Sequence, residues 1–283
     1  MTTERLVQGP AFVTGGSSGI GFQLALKLAG RGQAVAIFAR DTAKLEQARQ
    51  EILATATSAC VLTFPVDVAD NAKLKSCIED AVGLLGVPTY AIASAGIAEP
   101  GLFLEQTLNT HRQQMEVNYF GTLHFVHLVS RLMATNGGGR LGLISSGAAY
   151  FGIYGYGAYG PTKFAVRGLA ETLQVELAED NISVTLCCPG DTDTPQLQAE
   201  AKTKPKATKL ITASGGVWRP ETVARKMLES MDKGRFLVSP GVQMTLLGLF
   251  GSLVAPALRV HQRYIARRVR KGHKRPFRLP VCF

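Results

Sequence analysis

A tyrosine, a lysine and a serine are spaced so that they could exchange a proton with an alcohol or a ketone. Tyr159 and Lys163 are four residues apart, which places a phenol and an ammonium on one face of a helix. Ser146 lies thirteen residues before the tyrosine. A free phenol ionises at about pH 10, and a neighbouring cation favours its charged form. We therefore expect the pKa of Tyr159 to fall toward the range useful for acid–base catalysis.

A glycine-rich segment separates the first apolar run, Ala11–Thr14, from a helical pattern, Ile20–Ala29. Glycines let the backbone turn sharply and approach a pyrophosphate, whose charge is favoured at a helix N-terminus. The TGxxxGxG spacing differs from the commoner GxGxxG, and the alternative is a tight turn that binds no ligand. The candidate phosphate-binding residues are Gly15, Ser17, Ser18, Gly19, Ile20 and Gly21.

The end of the second predicted strand, Ala34–Ala39, bears on the choice between NAD and NADP. Dehydrogenases selective for NAD usually place an acid there, against the ribose 2′-hydroxyl. This chain has Arg40 and, one turn later, Lys44, and a guanidinium suits a 2′-phosphate. We therefore expect NADPH, the alternative being that Arg40 is only a solvated charge. Asp67, which ends the third strand, is a candidate acceptor for the adenine amine.

Short apolar runs alternate with helical patterns along the body of the chain, which predicts an α/β fold. Such alternation is typical of a Rossmann-type, doubly wound parallel sheet that binds its ligand at the carboxyl ends of the strands. We expect one domain over residues 1–241 and a C-terminal extension over residues 242–283. The remaining predicted strands are Cys60–Val68, Tyr90–Ala93, Arg140–Ser145, Ile182–Cys187 and Phe236–Val238, and the remaining helices Thr42–Leu53, Asn71–Leu85, His111–Ala134 and Phe164–Leu177.

The net charge of +10 is concentrated at the C-terminus, because nine of the 31 Lys and Arg follow Arg235, where no acid occurs. No aromatic–basic interleaving accompanies them, so we expect no nucleic-acid partner. The five cysteines form no CxxC pair, which favours a reducing compartment. His124 and His127 lack a third ligand nearby in the sequence, so we expect no metal site.

The extension is first apolar and then basic. Val242–Ala255 carries no charge, but fourteen helical residues reach only about 21 Å, and the hydrocarbon core of a bilayer is about 30 Å thick. Pro256 and Arg259 follow at once. We expect an interfacial or re-entrant segment at the cytoplasmic face of a membrane, with the basic residues among anionic headgroups. The alternative is that residues 242–258 cap the sheet or a subunit interface.

Together these motifs resemble the short-chain dehydrogenase/reductase family. The likeness implies that Tyr159 protonates a substrate carbonyl, that Lys163 binds the nicotinamide ribose, and that Ser146 hydrogen-bonds the carbonyl oxygen. It also implies that Asn118 holds a water linked to the lysine. The motifs that carry the likeness are TGGSSGIG (14–21), Asp67-Val68, ASAG (93–96), VNYFG (117–121), ISS (144–146), YGPTK (159–163) and PGDTDTP (189–195).

The same resemblance implies further contacts and a subunit arrangement. Val68, Ala95 and Gly96 would line the cofactor site, and Thr192 and Thr194 would contact the nicotinamide and its diphosphate. Members of this family often pair through the helices carrying Asn118 and Tyr159, so we expect a homodimer or homotetramer. Pro161 is tolerable only in the first turn of a helix, so the helix should begin near Tyr159.

A longer stretch resembles the 3-ketodihydrosphingosine reductases within this family, at Asp191–Pro195, Lys204-Pro205 and Thr208–Ile211. This likeness implies NADPH-dependent reduction of 3-ketosphinganine, a long-chain lipid ketone, to sphinganine. One alternative is a reductase of another apolar ketone, such as a steroid, retinal or a 3-oxoacyl lipid. A non-catalytic NADP(H) sensor is disfavoured by the intact Ser146, Tyr159, Lys163 and Asn118. We expect the stretch Thr203–Trp218 to form a flexible lid.

Overall fold

Seven parallel strands form the central sheet of the protein, in a computed structural model that describes residues 9–272. The chain builds outward from the first strand on one side and then returns to build the other side, giving the order β3-β2-β1-β4-β5-β6-β7. This reversal opens a crevice beyond the carboxyl ends of β1 and β4. The predicted doubly wound parallel sheet is confirmed. The strands are β1 Ala11–Thr14, β2 Val35–Ala39, β3 Val61–Pro65, β4 Tyr90–Ala93, β5 Gly139–Ile144, β6 Ile182–Cys187 and β7 Leu237–Val238.

Helices cover both faces of this sheet, as parallel strands require. Three of them, α7, α8 and α9, lie between β6 and β7, in a polar stretch where the sequence predicted no helix. The helices are α1 Gly19–Ala29, α2 Thr42–Thr55, α3 Asn71–Leu85, α4 Leu108–Met115, α5 Gly121–Ala134, α6 Tyr159–Glu176, α7 Pro195–Thr203, α8 Lys206–Thr212, α9 Pro220–Asp232 and α10 Val242–Gly272. The expected flexible lid, Thr203–Trp218, therefore contains the helix α8.

The strands divide the core into two layers because successive side chains point to opposite faces. In β1, Phe12 packs with the layer formed under α3, α5 and α6, together with Phe38 and Phe125. Val13 packs with the opposite layer, under α1, α2 and α9, together with Leu24. All five of these side chains are fully buried. The strands are thereby held rigidly, and their carboxyl ends form a fixed platform for a site.

The predicted single helix over His111–Ala134 is wrong in one respect. A π-helical turn, Glu116–Phe120, separates α4 from α5. Such turns insert an extra residue into a helix and are frequent at functional sites. Here the turn contains Asn118, which is fully buried. Sequence periodicity could not reveal it, because the apolar pattern continues across the insertion.

The C-terminal segment is also longer than the sequence predicted. The helix α10 spans 31 residues and continues through Pro256, although proline donates no hydrogen bond to the preceding turn. Its length is about 46 Å, and residues Val242–Arg270 are long and apolar enough to cross a membrane. The expectation of a short apolar helix ending before Pro256 is therefore wrong. The part of the extension beyond residue 272 lies outside the described residues.

Two contacts hold α10 against the body of the protein. Leu247 is buried in the core layer under α6. Gln262 is only 6% exposed; its side chain accepts a hydrogen bond from the Tyr154 amide at 2.8 Å and donates one to the Gly152 carbonyl at 3.0 Å. The helix is thus fixed to the loop before α6, in partial agreement with the alternative that it packs on the protein.

Candidate active site

A cleft of about 380 Å³ lies beyond the carboxyl ends of the central strands. Its volume is typical of small-molecule sites. Its walls include every candidate site residue from the sequence analysis except Gly21 and Asn118. Residues separated by more than a hundred positions in the chain are therefore brought together where the sheet topology predicts a ligand.

The loop from β1 to α1 has the shape of a phosphate cradle. Gly15 adopts a φ of +66°, and a Cβ at this position would lie 2.8 Å from the backbone nitrogen of Ala95, so only glycine fits without strain. The amides of Ser17 and Ser18 precede the first turn of α1, whose N-terminus favours an anion. Gly21 lies behind this loop, where a Cβ would collide with the Gly15 carbonyl oxygen. Its role is to allow close packing, and it does not line the cleft.

Two basic side chains stand at the opposite end of this cradle. Arg40 and Lys44 line the cleft with side chains 60% and 66% exposed. Arg40 lies 3.8 Å from the carboxylate of Asp67. The neighbouring acid, Asp41, caps α2 by accepting a hydrogen bond from the Lys44 amide at 3.1 Å. The Asp41 carboxylate is thus engaged by Lys44, whose ammonium also lies 3.7 Å from it.

The proposed proton-transfer residues meet where β5 ends and α6 begins. Tyr159 is the first residue of α6, as Pro161 predicts, and its hydroxyl lies beside the side chains of Ser146 and Gln196. The Lys163 ammonium lies 5.6 Å from the centre of the Tyr159 ring and donates to the Ile144 carbonyl at 3.2 Å. Both side chains are buried, at 7% and 6% exposure.

The two adjacent serines have different partners, as alternation predicts. The Ser145 hydroxyl donates to the Lys163 carbonyl at 2.8 Å, which ties α6 to the end of β5. The Ser146 hydroxyl accepts from the Ala148 amide at 3.2 Å and contacts the phenol. Ser146 is therefore the serine placed next to Tyr159.

The expectation that Lys163 lowers the pKa of Tyr159 is wrong for the protein as described. Burial raises the pKa of Tyr159 above its ordinary value, and the carboxylate of Glu200 raises it further. Burial also lowers the pKa of Lys163 to about 8. In both cases the loss of water around the charged form outweighs the attraction between the pair. The phenol therefore stays protonated at neutral pH and is suited to donate a proton.

The Asn118 side chain links the loop after β4 to α6. Its side chain accepts from the Ile97 amide at 2.8 Å, and donates to the Ile97 carbonyl at 2.9 Å and to the Thr162 hydroxyl at 3.0 Å. These bonds clamp the loop after β4 to the first turn of α6. That Asn118 also holds a water stays a prediction.

Sequence reasoning missed a polar group on the other side of Tyr159. The helix α7 places Gln196 and Glu200, which are four residues apart, on one face toward the cleft. Thr194 caps this helix by accepting from the Leu197 amide at 3.3 Å, and Pro195 occupies its first position. The run Thr194-Pro195 is a helix-start signal, so the start of this helix could have been predicted, although not which of its faces lines the cleft.

The far end of the cleft is apolar, and α10 forms part of it. Met244 and Leu247 line the cleft from the first turns of this helix. Further along, α10 exposes large apolar side chains to solvent. These are Leu246, Leu249, Phe250 and Leu253, between 48% and 76% exposed. The wall of the cleft thus continues into an exposed apolar surface, which marks an interaction site. Within residues 9–272, no three potential metal ligands are clustered.

The chain matches the family model described as short chain dehydrogenase over residues 10–205. The protein belongs to the short-chain dehydrogenase family. The family resemblance stated from the motifs is therefore confirmed, and the protein is an oxidoreductase. Its phosphate loop, Ser146, Tyr159 and Lys163 all lie within the matched residues.

Curated relatives of this short-chain dehydrogenase are named 3-dehydrosphinganine reductase or 3-ketodihydrosphingosine reductase. It is 41% identical over 232 residues to the 3-dehydrosphinganine reductase of Danio rerio, covering 81% of this chain and 70% of that protein. It is 36% identical to the 3-ketodihydrosphingosine reductase of Bos taurus, covering 86% and 74% of the two chains. The 3-dehydrosphinganine reductase TSC10A of Arabidopsis thaliana is 35% identical, with coverage of 87% and 75%.

Solved structures agree with the fold. Levodione reductase superposes with a TM-score of 0.77 at 23% identity, covering 85% of this chain and 99% of its own. An alcohol dehydrogenase from the archaeon Thermococcus sibiricus, complexed with 5-hydroxy-NADP, gives a TM-score of 0.70 at 24% identity, with coverage of 82% and 95%. At these identities the likeness shows the Rossmann architecture.

Proposed function

We propose that this short-chain dehydrogenase uses NADPH to reduce the 3-keto group of 3-ketosphinganine to sphinganine in sphingolipid biosynthesis. The observation that carries the proposal is the position of the Tyr159 hydroxyl. It lies in one cleft between a phosphate cradle and an apolar wall that continues onto α10. The names of the relatives support the sphingoid ketone as the substrate.

The residues of the cleft fit a dinucleotide, because the sharp turn at Gly15, with its φ of +66°, leads directly to the amides at the N-terminus of α1. The amides at Ser17 to Ile20 would hold the diphosphate, together with Thr192 and Thr194 across the cleft. Arg40 and Lys44 support NADPH over NADH because their charges match a ribose 2′-phosphate. The Asp41 carboxylate is occupied by its hydrogen bond from the Lys44 amide, which also supports NADPH over NADH.

When bound, the reduced nicotinamide supplies a hydride to the carbonyl carbon. Tyr159 then donates its proton to the carbonyl oxygen, and Ser146 donates a hydrogen bond to that oxygen as negative charge develops. The pKa of Lys163, about 8, lets this side chain exchange a proton at neutral pH and restore the phenol. Gly96 lies next to both Asn118 and Lys163, because a Cβ there would be 3.2 Å from the Asn118 Oδ1 and 3.5 Å from the Lys163 Nζ.

The C-terminal helix supports a lipid substrate and attachment to the cytoplasmic face of a membrane. Its apolar half exposes Leu249 and Leu253, and its second half carries five described arginines without an acid. Buried apolar surface combined with basic residues gives the two signals that stable attachment requires. The acyl chain of the substrate would leave the cleft along Met244 and Leu247 toward this surface.

Turnover by the purified full-length chain tests the proposal. With NADPH and 3-ketosphinganine in detergent, we expect sphinganine, identified by mass spectrometry. Tyr159→Phe keeps the ring but removes the proton donor; we expect turnover to fall at least about 100-fold while NADPH still binds. If wild-type protein that has been shown to bind NADPH forms no sphinganine, the proposal is wrong. A panel with a steroid, retinal and a 3-oxoacyl thioester then distinguishes another apolar ketone.

Subunit pairing is a separate part of the proposal. The expected homodimer or homotetramer would form through α4, α5 and α6, on the outside of the sheet. Light scattering on the purified protein measures the mass directly, and a monomer at micromolar concentration would contradict this arrangement.

A further inference from the structure

A buried carboxylate lines the same cleft as Tyr159 and Lys163. Glu200 is 6% exposed and lines the cleft. One of its oxygens accepts a hydrogen bond from the Tyr156 hydroxyl at 2.9 Å, and the other accepts from the Gln196 amide at 3.2 Å. Both of these donors are neutral. We call Asp191, Gln196, Glu200, Lys204 and Tyr156 the Glu200 pocket.

In the described part of the chain, Glu200 forms no ion pair within 4 Å. The Lys204 ammonium pairs instead with the Asp191 carboxylate at 3.0 Å, and this lysine side chain is 5% exposed. Lys204 and Lys163 therefore act on Glu200 only as more distant charges. Burial raises the pKa of Glu200, because a buried charge without an ion partner is costly. A ligand that brings one positive charge would complete the pocket.

The Glu200 pocket is close to the atom that protonates the substrate. The Gln196 side chain donates to the Glu200 carboxylate at 3.2 Å and lies beside the Tyr159 hydroxyl. The Tyr156 and Tyr159 rings are 5.3 Å apart. A single side chain therefore separates the carboxylate from the phenol. A ketone bound at Tyr159 would bring a substituent on the neighbouring carbon toward Glu200.

We propose that Glu200 binds the ammonium group that the substrate carries on the carbon next to its ketone. The inference rests on the proposed function, because 3-ketosphinganine has its amine at that position. Gln196 and Tyr156 hold the carboxylate in place, and Lys204 pairs with Asp191 instead of with this carboxylate. The ion pair makes the site selective for amino ketones over plain long-chain ketones, and the apolar wall binds the chain in either case.

Two ketones of equal chain length test this inference on the wild-type protein. One is 3-ketosphinganine, and the other is the same 1-hydroxy-3-ketone without the amine. We expect kcat/KM to favour the amino ketone by about 30-fold, as is typical for a buried charge pair. Equal kcat/KM values for the two ketones would overturn the inference and leave the reductase function standing.

Substitutions then test whether Glu200 causes the preference for the amino ketone. Glu200→Gln should reduce the ratio of the two kcat/KM values to about threefold or less, while the protein still binds NADPH. Glu176→Gln, on the exposed face of α6, is the matched control and should keep the full preference. A Glu200→Gln protein that retains the wild-type preference overturns the assignment.

Two further measurements keep the inference testable if these assays fail. If Glu200→Gln does not bind NADPH, Tyr156→Phe removes one hydrogen bond to the carboxylate but keeps its charge. It should weaken the preference about threefold, and an unchanged preference counts against the inference. If wild-type protein reduces neither ketone, the proposed function fails. Binding of sphinganine against its amine-free analogue then decides the inference, since equal affinities would refute it.

Discussion

Replacing Lys163 with methionine should inactivate the protein and at the same time stabilise it. The lysine side chain is buried, and burial lowers its pKa from the ordinary 10.5 to about 8. Methionine is also unbranched and flexible, so it can occupy the same space without a charge. The variant would therefore remove a cost that folding incurs only for the sake of the site.

The pKa of Lys163 sets the size of this effect. Each pKa unit corresponds to about 1.36 kcal/mol, so burying the protonated amine costs on the order of 3 kcal/mol. The lysine also donates to the Ile144 carbonyl at 3.2 Å, and losing that bond costs about 1 kcal/mol. We expect Lys163→Met to raise the free energy of unfolding by about 2 kcal/mol at pH 7.

The pH dependence of the free energy of unfolding tests independently whether the buried charge on Lys163 destabilises the folded protein. Because the folded-state pKa of Lys163 is lowered, the unfolded chain binds more protons than the folded protein between about pH 8 and 10.5. Wild-type stability should therefore rise through this window as the folded lysine loses its proton. Between pH 7 and 9.5 the wild type should gain about 2 kcal/mol relative to the variant. Other titrating groups cancel in that difference.

Urea unfolding of the cofactor-free protein, followed by the fluorescence of its single tryptophan, Trp218, measures both quantities. Lys73→Met removes an exposed lysine of α3 and serves as the control, with no change in stability beyond about 0.5 kcal/mol. The reasoning fails if Lys163→Met is no more stable than the wild type at pH 7. It also fails if the difference between them is the same at pH 7 and 9.5.

Two further substitutions test the cofactor and membrane proposals. Arg40→Leu should lower kcat/KM for NADPH about tenfold, because a half-exposed charged contact is lost, and should change the value for NADH less than about threefold. Steady-state kinetics with both cofactors check this, and an equal loss for both would contradict a 2′-phosphate contact. Leu249→Asp with Leu253→Asp places charges on the exposed face of α10. It should abolish sedimentation with anionic liposomes; retained sedimentation rules out this face as the anchor.

The sheet could be predicted from the sequence because its strands are continuous apolar runs. Tyr90–Ala93 and Ile182–Cys187 have the predicted bounds, since parallel strands are buried on both faces. The helix α7 could not be predicted in this way. Its sequence, PQLQAEAKT, is mostly polar, and its one buried residue, Glu200, is held by Tyr156, a residue from another part of the fold. Apolar periodicity carries no information on such a helix.

Where sequence motifs form the walls of the cleft, the residues that line it could be predicted from the sequence. The glycine loop, Ser146, Tyr159 and Lys163 converge as their spacing indicates. The electrostatics were not predictable from spacing, because the pKa of Tyr159 depends on burial more than on its neighbouring cation. Glu200 was missed for a related reason. A glutamate in a polar stretch reads as solvated, and only the folded chain shows that it faces the phenol.

The position of α10 decides which experiments can separate membrane binding from catalysis. Met244 lines the cleft and lies so close to Gly147 that a Cβ there would be 2.7 Å from the methionine sulfur. Leu247 is buried against the core. Deleting residues 242–283 would therefore remove one wall of the site together with the exposed apolar surface. Loss of activity in such a truncation would not identify the anchor. Substitutions at Leu249 and Leu253 leave that wall intact, so they distinguish a helix that only completes the cleft from one that also delivers a lipid to it.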